Sequence, residues 1–322
     1  MSLVELLVAL TVGLFLLGAV GSIYVATTQS TRGSTFEAQM NEDAALALDL
    51  LRQQFLLAGF SGFQAAPNSD LRNFQGQAVM GCNGGFSNAN LNANTADFAA
   101  LACSNAADNT EPDAIAIRYE ATLLNSFQVV SGGVNLPANC AYEGIQAWNV
   151  GGGINVSLAE NRFFIALDPN NGDTPSLTCR GRNGADFSAR AFLIPNIEDL
   201  QILYAVTRLP VTDQALPHQV TAYLRADEIN ALAAGGGLNP WSRVAGARIC
   251  VVARSPERVA GLTTELRQYV DCSGARVTAP NDGLVRRAYV TTVMARNLRP
   301  GLPAPYSAGS NPWSILTGES GG

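Results

Sequence analysis

Hydrophobic patterning splits the chain into an apolar start, an amphipathic continuation and a mixed remainder. From residue 3 to residue 26 the sequence reads LVELLVALTVGLFLLGAVGSIYVA, with Glu5 as its one charge. Coiled as a helix, this stretch reaches roughly 36 Å, enough to cross a hydrocarbon layer about 30 Å thick with some tilt. Beyond it, Phe36, Met40, Ala44, Leu48, Leu51 and Phe55 recur at steps of three and four, while Glu37, Glu42, Asp43, Asp49 and Arg52 fall mostly on other faces. No proline occurs before Pro67, and Gly59 followed by Ser61-Gly62 supplies a stop. The pattern predicts a helix over residues 1–58, with 1–28 apolar enough for a membrane and 29–58 lying amphipathically under a folded head. Gly13, Gly18 and Gly21 each cost about 1 kcal/mol of helix propensity, so residues 13–22, including Ser22, are the weakest part. A break into two helices near Gly18, Gly21 and Ser22, or at Gly33, is the competing reading.

The rest reads as a β-rich, loop-rich head over 59–299 and a Gly/Pro/Ser-rich tail over 300–322. Ile115–Tyr119, Arg162–Leu167, Leu200–Tyr204, Ala247–Val251 and Tyr289–Val293 fit strands, and Asp227–Ala234 fits a short helix. Residues 81–110, 131–155, 168–189 and 232–240 are rich in Gly, Asn, Ala and Ser and are expected to be mostly surface loops. The expected class is α+β.

An ionised side chain in an apolar span costs about 2.5–3.5 kcal/mol when central and less near the interface, so Glu5 needs a named partner. A secretory signal peptide would have a basic leading segment and a shorter apolar core. Here the first basic residue is Arg32. The expectation is that a basic leader has been removed and that Met1 is a mature N-terminus.

The residues Met1-Ser-Leu-Val-Glu5-Leu-Leu-Val-Ala-Leu10 resemble the processed start of type IV pilins and type II secretion pseudopilins. In that family a peptidase of the inner membrane cuts before residue 1 and methylates the new amine, here that of Met1. The resemblance implies that Glu5 pairs with the Met1 amine of a neighbouring subunit during assembly, although the family usually has Phe at position 1. It also implies a type IV pilin fold, a long helical stalk with a large β-sheet-rich head, and local unwinding around Gly13, Gly18, Gly21 and Ser22 inside a filament. In the head, Pro112–Tyr119, Ile197–Tyr204 and Arg286–Asn297 resemble segments of PilW-type minor pilins, which implies a minor-pilin complex priming and capping a pilus together with an adhesin. A large filament-forming pilin and a type II secretion pseudopilin are the alternatives within this class. The implied location is the inner membrane before assembly, with the head periplasmic, and an extracellular pilus afterwards. Physical chemistry agrees with the pairing: all 20 basic residues are arginine, so the terminal amine is the chain's only aliphatic amine. Opposite charges about 4 Å apart gain roughly 4 kcal/mol at an effective dielectric of 20, comparable to the insertion cost.

Cys82, Cys103, Cys140, Cys179, Cys250 and Cys272 all follow the stalk. An even number in a region placed outside the cytoplasm points to disulfides among about 15 connectivities. Sequential pairing, Cys82–Cys103, Cys140–Cys179 and Cys250–Cys272, is the arrangement expected. A metal site is disfavoured, since no Cys-x-x-Cys occurs and His218 is the sole histidine. Asp168-Pro-Asn-Asn-Gly-Asp173 has calcium-type oxygen ligands but lacks the downstream glutamate, which favours a plain turn. Trp148 and Trp241 are expected in the core, while Trp313 in the tail is a candidate anchor on its own head or on the next subunit.

The formal charge of −6 argues against nucleic acid as a main partner, with Arg286-Arg287 the only local basic pair of note. A membrane-anchored periplasmic hydrolase is the rival class. It would have to use His218, and the one Gly-x-Ser-x-Gly match, Gly318–Gly322, ends the chain with no helix able to follow it. A phosphate-binding loop needs a lysine the sequence lacks. Paired carboxylates stay open, and no catalytic residue or cofactor site is expected.

Overall fold

A computed structural model describes residues 2–62, 77–87, 101–104, 111–149, 155–184, 186–207, 219–232, 239–259 and 262–298. Helix α1 runs unbroken over Leu3–Leu57, and the competing reading of a break at Gly18, Gly21 and Ser22 or at Gly33 does not hold. Thr11 and Ser22 donate their hydroxyls to the backbone carbonyls of Val8 and Ala19, at 2.9 and 2.8 Å, so these polar side chains are satisfied within the helix.

Fourteen strands follow among the described residues: β1 (Val79–Cys82), β2 (Ala114–Ala121), β3 (Gln128–Ser131), β4 (Val134–Pro137), β5 (Trp148–Asn149), β6 (Asn155–Asp168), β7 (Thr174–Gly181), β8 (Ala191–Pro195), β9 (Ile197–Thr207), β10 (Val220–Leu224), β11 (Val244–Arg254), β12 (Gln268–Val270), β13 (Arg276–Thr278) and β14 (Arg286–Met294). A short helix, α2 (Ala226–Asn230), lies between β10 and β11. One sheet has the order β1-β2-β6-β7-β8, with β5 also on β6; a second has the order β10-β9-β11-β14. Two hairpins, β3–β4 and β12–β13, stand apart from them. All pairings are antiparallel.

The chain passes from the first sheet to the second through one residue. Asn196 lies between β8 and β9 with φ of 62°, a left-handed conformation that asparagine tolerates better than most residues. Its side-chain amide donates to Asp43 on α1 at 3.1 Å, and its carbonyl accepts from Arg254 at 2.9 Å. Both sheets and the helix thus meet at this corner, where burial raises the pKa of Asp43 against the lowering bond from Asn196.

The second half of α1 covers the core. Met40, Ala44, Ala47, Leu51, Phe55 and Ala58 are buried against Ile115, Ile117 and Tyr119 of β2, Leu200 and Ile202 of β9, and Ile249 and Val251 of β11. Leu48 is only half-buried, and Ala47 takes the buried place beside it. Close cover begins near Met40, later than residue 29: Phe36 is half-buried, and Arg287 of β14 reaches Glu37 at 3.4 Å.

Several expected loops hold strands. Residues 168–189 contain β7, a buried central strand, and 131–155 contain β4 and β5. The sequence of β7, with Pro175, Ser176, Thr178 and Gly181, lacks an apolar alternation because its hydroxyls bond locally: Ser176 donates to the carbonyl of Thr174 and Thr178 to that of Ser176. Asp168–Asp173 is the β6–β7 turn, with a 3-10 segment at Pro169–Asn171, the Asp168 carboxylate accepting from the Asn170 amide, and Gly172 left-handed. Three disulfides join neighbours in sequence, Cys82–Cys103, Cys140–Cys179 and Cys250–Cys272, with Cα separations of 5.1, 6.2 and 5.7 Å. Trp241 is buried, donating its indole N–H to Asn230 at 2.8 Å and meeting Tyr204 edge-on at 4.9 Å. Trp148, expected in the core, instead sits 43% exposed on the two-residue edge strand β5.

Candidate assembly site

The apolar first half of α1 projects from the head with no cover. Leu3–Val25 has a mean hydropathy of 2.5, and none of its most apolar stretch is buried within the chain. Phe15 and Leu3 are each 78% exposed. An apolar surface of this size has to meet lipid or other apolar helices. By length and composition this segment can cross a membrane.

At its tip, Ser2 and Glu5 form a reciprocal cap. The Ser2 hydroxyl accepts from the Glu5 amide at 3.3 Å, and the Glu5 carboxylate accepts from the Ser2 amide at 2.8 Å. Such an arrangement satisfies two of the donors that a helix N-terminus leaves open, and it places a negative charge at the positive end of the helix dipole. Reading the sequence for charge alone missed Ser2. Its signal was present as Ser-x-x-Glu just before an apolar run. Met1, the expected partner of Glu5, lies outside the described residues. The carboxylate is therefore placed by its own helix cap.

Gly13, Gly18 and Gly21 lie in the exposed helix with no atom within 4 Å of where a Cβ would stand. Their lack of side chain serves no packing inside the chain, which leaves helix flexibility and contacts to other helices as physical uses.

The head carries two charged clusters, both structural in geometry. Arg118 on β2 and Glu160 on β6 are cross-strand partners at 3.0 Å, and Arg162 joins the same carboxylate at 2.7 Å. Burial opposes the charge of Glu160, but Arg118, Arg162 and Arg182 together hold its pKa below the usual range. The Arg162 guanidinium also lies 3.6 Å over the Phe187 ring. Arg286 bonds to both Glu198 and Asp282, drawing the Asp282 carboxyl down to about 2. Arg286-Arg287 is accordingly no open basic patch, since one residue is buried in ion pairs and the other faces Glu37. Among the described residues no group of three or more His, Cys, Asp or Glu could hold a metal ion. His218, Trp313 and the tail segment Gly318–Gly322 lie outside the described residues.

A cleft of about 270 Å³ opens between the last turns of α1 and the first sheet, lined by Gln53, Gln54 and Leu57 on one side and by Leu124, Phe127 and Tyr142 on the other.

Residues 162–297, from the middle of β6 to just past β14, match the family described as type IV pilus-assembly protein W, PilW. No curated protein matches the sequence. Among solved structures, a type IV-like pilin from Thermus thermophilus aligns at 12% identity over 80% of this chain and 98% of its own, with a TM-score of 0.33. The matched residues comprise the whole second sheet and its junction with the first, and over them the chain is similar to that family.

Proposed function

We propose that the chain is a structural subunit of a type IV pilus whose N-terminal helix serves first as membrane anchor and then as filament core. The observation that carries this reading is the wholly uncovered apolar half of α1 ending in Ser2 and Glu5, joined to a head whose residues 162–297 match the PilW family. Transfer of the helix from lipid to a bundle of like helices changes little hydrophobic free energy, because both surroundings are apolar. Polar pairing and head contacts can then decide the balance. In this reading Glu5 exchanges the Ser2 amide for the freed amine of Met1 on an adjoining subunit, whose positive charge is a stronger partner than a neutral N–H. The processed and methylated Met1, a periplasmic head before assembly and an extracellular position after it belong to the same proposal, as do other pilin subunits and a tip adhesin as partners. Local unwinding at Gly13, Gly18, Gly21 and Ser22 would let the stalk bend within a filament.

Substituting Glu5→Ala tests it. Membrane insertion should persist, since it removes a charge from the apolar span, while recovery in sheared surface filaments should drop sharply. Equal recovery of the variant and the parent would refute the role given to Glu5. Copy number in the same filaments separates a scarce tip component from a repeating subunit, and absence from them points to a pseudopilin.

A further inference from the structure

We propose that the cleft beside the end of α1 is the docking site of this chain's own C-terminal segment, with Trp313 as the anchor and Ile315 and Leu316 beside it. This goes beyond the filament reading and does not depend on it.

The cleft offers an apolar rim over a mixed lining that includes Gln53, Gln54 and Asn139. Its rim holds Leu124 at 98%, Phe127 at 69% and Tyr142 at 58% exposure, three large side chains on one side of one opening. Phe127 and Tyr142 meet with tilted rings at 5.3 Å, and Tyr142 reaches this position with φ of 59°, an uncommon backbone state for an aromatic residue. The Cys140–Cys179 bond ties this loop to β7, and the side chain of Asn139 accepts from the amides of Ala141 and Glu143. The exposed aromatics are thus held in place by a braced loop. At about 270 Å³ the cleft falls below the 300–1,000 Å³ typical of small-molecule sites. It suits one or two protein side chains.

The place where the described chain ends names the occupant. Asn297 donates its amide to the carbonyl of Leu56 at 2.9 Å, so the chain after β14 returns to the last turn of α1. Gln53, Gln54 and Leu57, on that same turn, line the cleft. The root of the tail therefore lies against the same helix turn that lines one side of the site. Trp313 follows Leu298 by a segment that can extend to about 50 Å, so the reach is ample. Within 300–322, Trp313-Ser-Ile-Leu316 is the densest apolar block and Glu319 the only charged side chain. Pro300, Pro303, Pro305 and Pro312 restrict the free segment and so reduce the entropy lost when it docks. Tethering raises the local concentration to the millimolar range, which lets a modest contact suffice.

The test uses the full oxidised chain in detergent micelles with the photoreactive residue p-benzoylphenylalanine in place of Ser314. Isotopically heavy and light chains are mixed before irradiation, so that links within and between chains are told apart by mass. The expected result is links to residues 122–127 or 138–142 of the same chain. Replacing Phe127→Ala and Tyr142→Ala together should lower their yield about tenfold, with the three native disulfides still mapped as a check on folding. Links confined to other surfaces, links only between chains, or no links would each overturn the proposal, the second of these assigning the cleft to another copy.

Discussion

Asp113 sits in surroundings that oppose its charge. It is 4% exposed at the entry to β2, where its carboxylate accepts from the Ile202 amide of β9 at 2.8 Å and so ties the first sheet to the second. Burial, joined by the nearby charges of Asp199 and Asp227 and only partly countered by the bonds from Ile202 and Gly84, pushes its pKa up to about 7. Beside it the Tyr204 hydroxyl is buried with no hydrogen-bond partner among the described residues, and burial raises that phenol well above its ordinary value. A carboxyl that binds its proton more tightly folded than unfolded favours the folded state at low pH. That advantage is lost as pH rises from about 4 through about 7. Stability should therefore fall by a few kcal/mol, in order of magnitude, between pH 4.5 and 8. Asp113→Asn should flatten most of this slope in denaturant unfolding curves, and a slope unchanged by the substitution would show that the carboxyl is not the group responsible. No sequence pattern marks Asp113, because its burial comes from a contact with a strand far along the chain.

At the scale of elements, what periodicity could reach was legible and what tertiary contacts created was not. Helix α1 was clear, since nothing between Leu3 and Leu57 breaks it and its second half repeats at three and four residues. The expected strands fall within β2, β6, β9, β11 and β14, the long strands of the two sheets. The first half of β6 was hidden because Asn155–Asn161 buries Ser157, Glu160 and Asn161, of which Glu160 is met by Arg118 and Asn161 by Gln54 and the Cys140 amide. Strand β7 was hidden by its proline, hydroxyls and glycine. At the assembly site Glu5 stood out by charge, whereas the role of Ser2 depends on local geometry that only the capping motif signals.

Two predictions belong to this scale. The Cys140–Cys179 bond closes a loop of 39 residues, and the chain-entropy relation gives about 4 kcal/mol for a loop of that size. Cys140→Ala with Cys179→Ala should lower the unfolding free energy by roughly that amount at constant redox conditions, and it should also loosen the loop carrying Tyr142. A change under about 1 kcal/mol would mean that Asn139 and β7 hold the loop without it. The glycines of the exposed helix offer the second. Replacing Gly13, Gly18 and Gly21 with Ala meets no atom within 4 Å and favours helix by about 1 kcal/mol each. If the stalk unwinds in a filament, the triple variant should insert normally but assemble poorly. Undiminished assembly would show that the glycines are not needed for bending.

Across the whole molecule the division of labour is spatial. A disulfide-braced head of two antiparallel sheets buries one half of a single helix, and the other half, uncovered, is left for a membrane or for other helices. The PilW match, residues 162–297, lies entirely in the head and the proposed assembly chemistry entirely at the far tip, so the two lines of argument are independent. They meet in the proposal that Glu5 exchanges its own helix cap for a neighbour's terminal amine. The absence of lysine makes this directly measurable, because among copies of this sequence a zero-length carbodiimide can join a carboxylate only to the amine that the proposal assigns to residue 1. Treating intact surface filaments with such a reagent and mapping the linked peptides by mass should recover Glu5 joined to the amine of residue 1 of another copy or of a companion subunit. Recovery of that amine linked solely to head carboxylates, with Glu5 unmodified, would contradict the account.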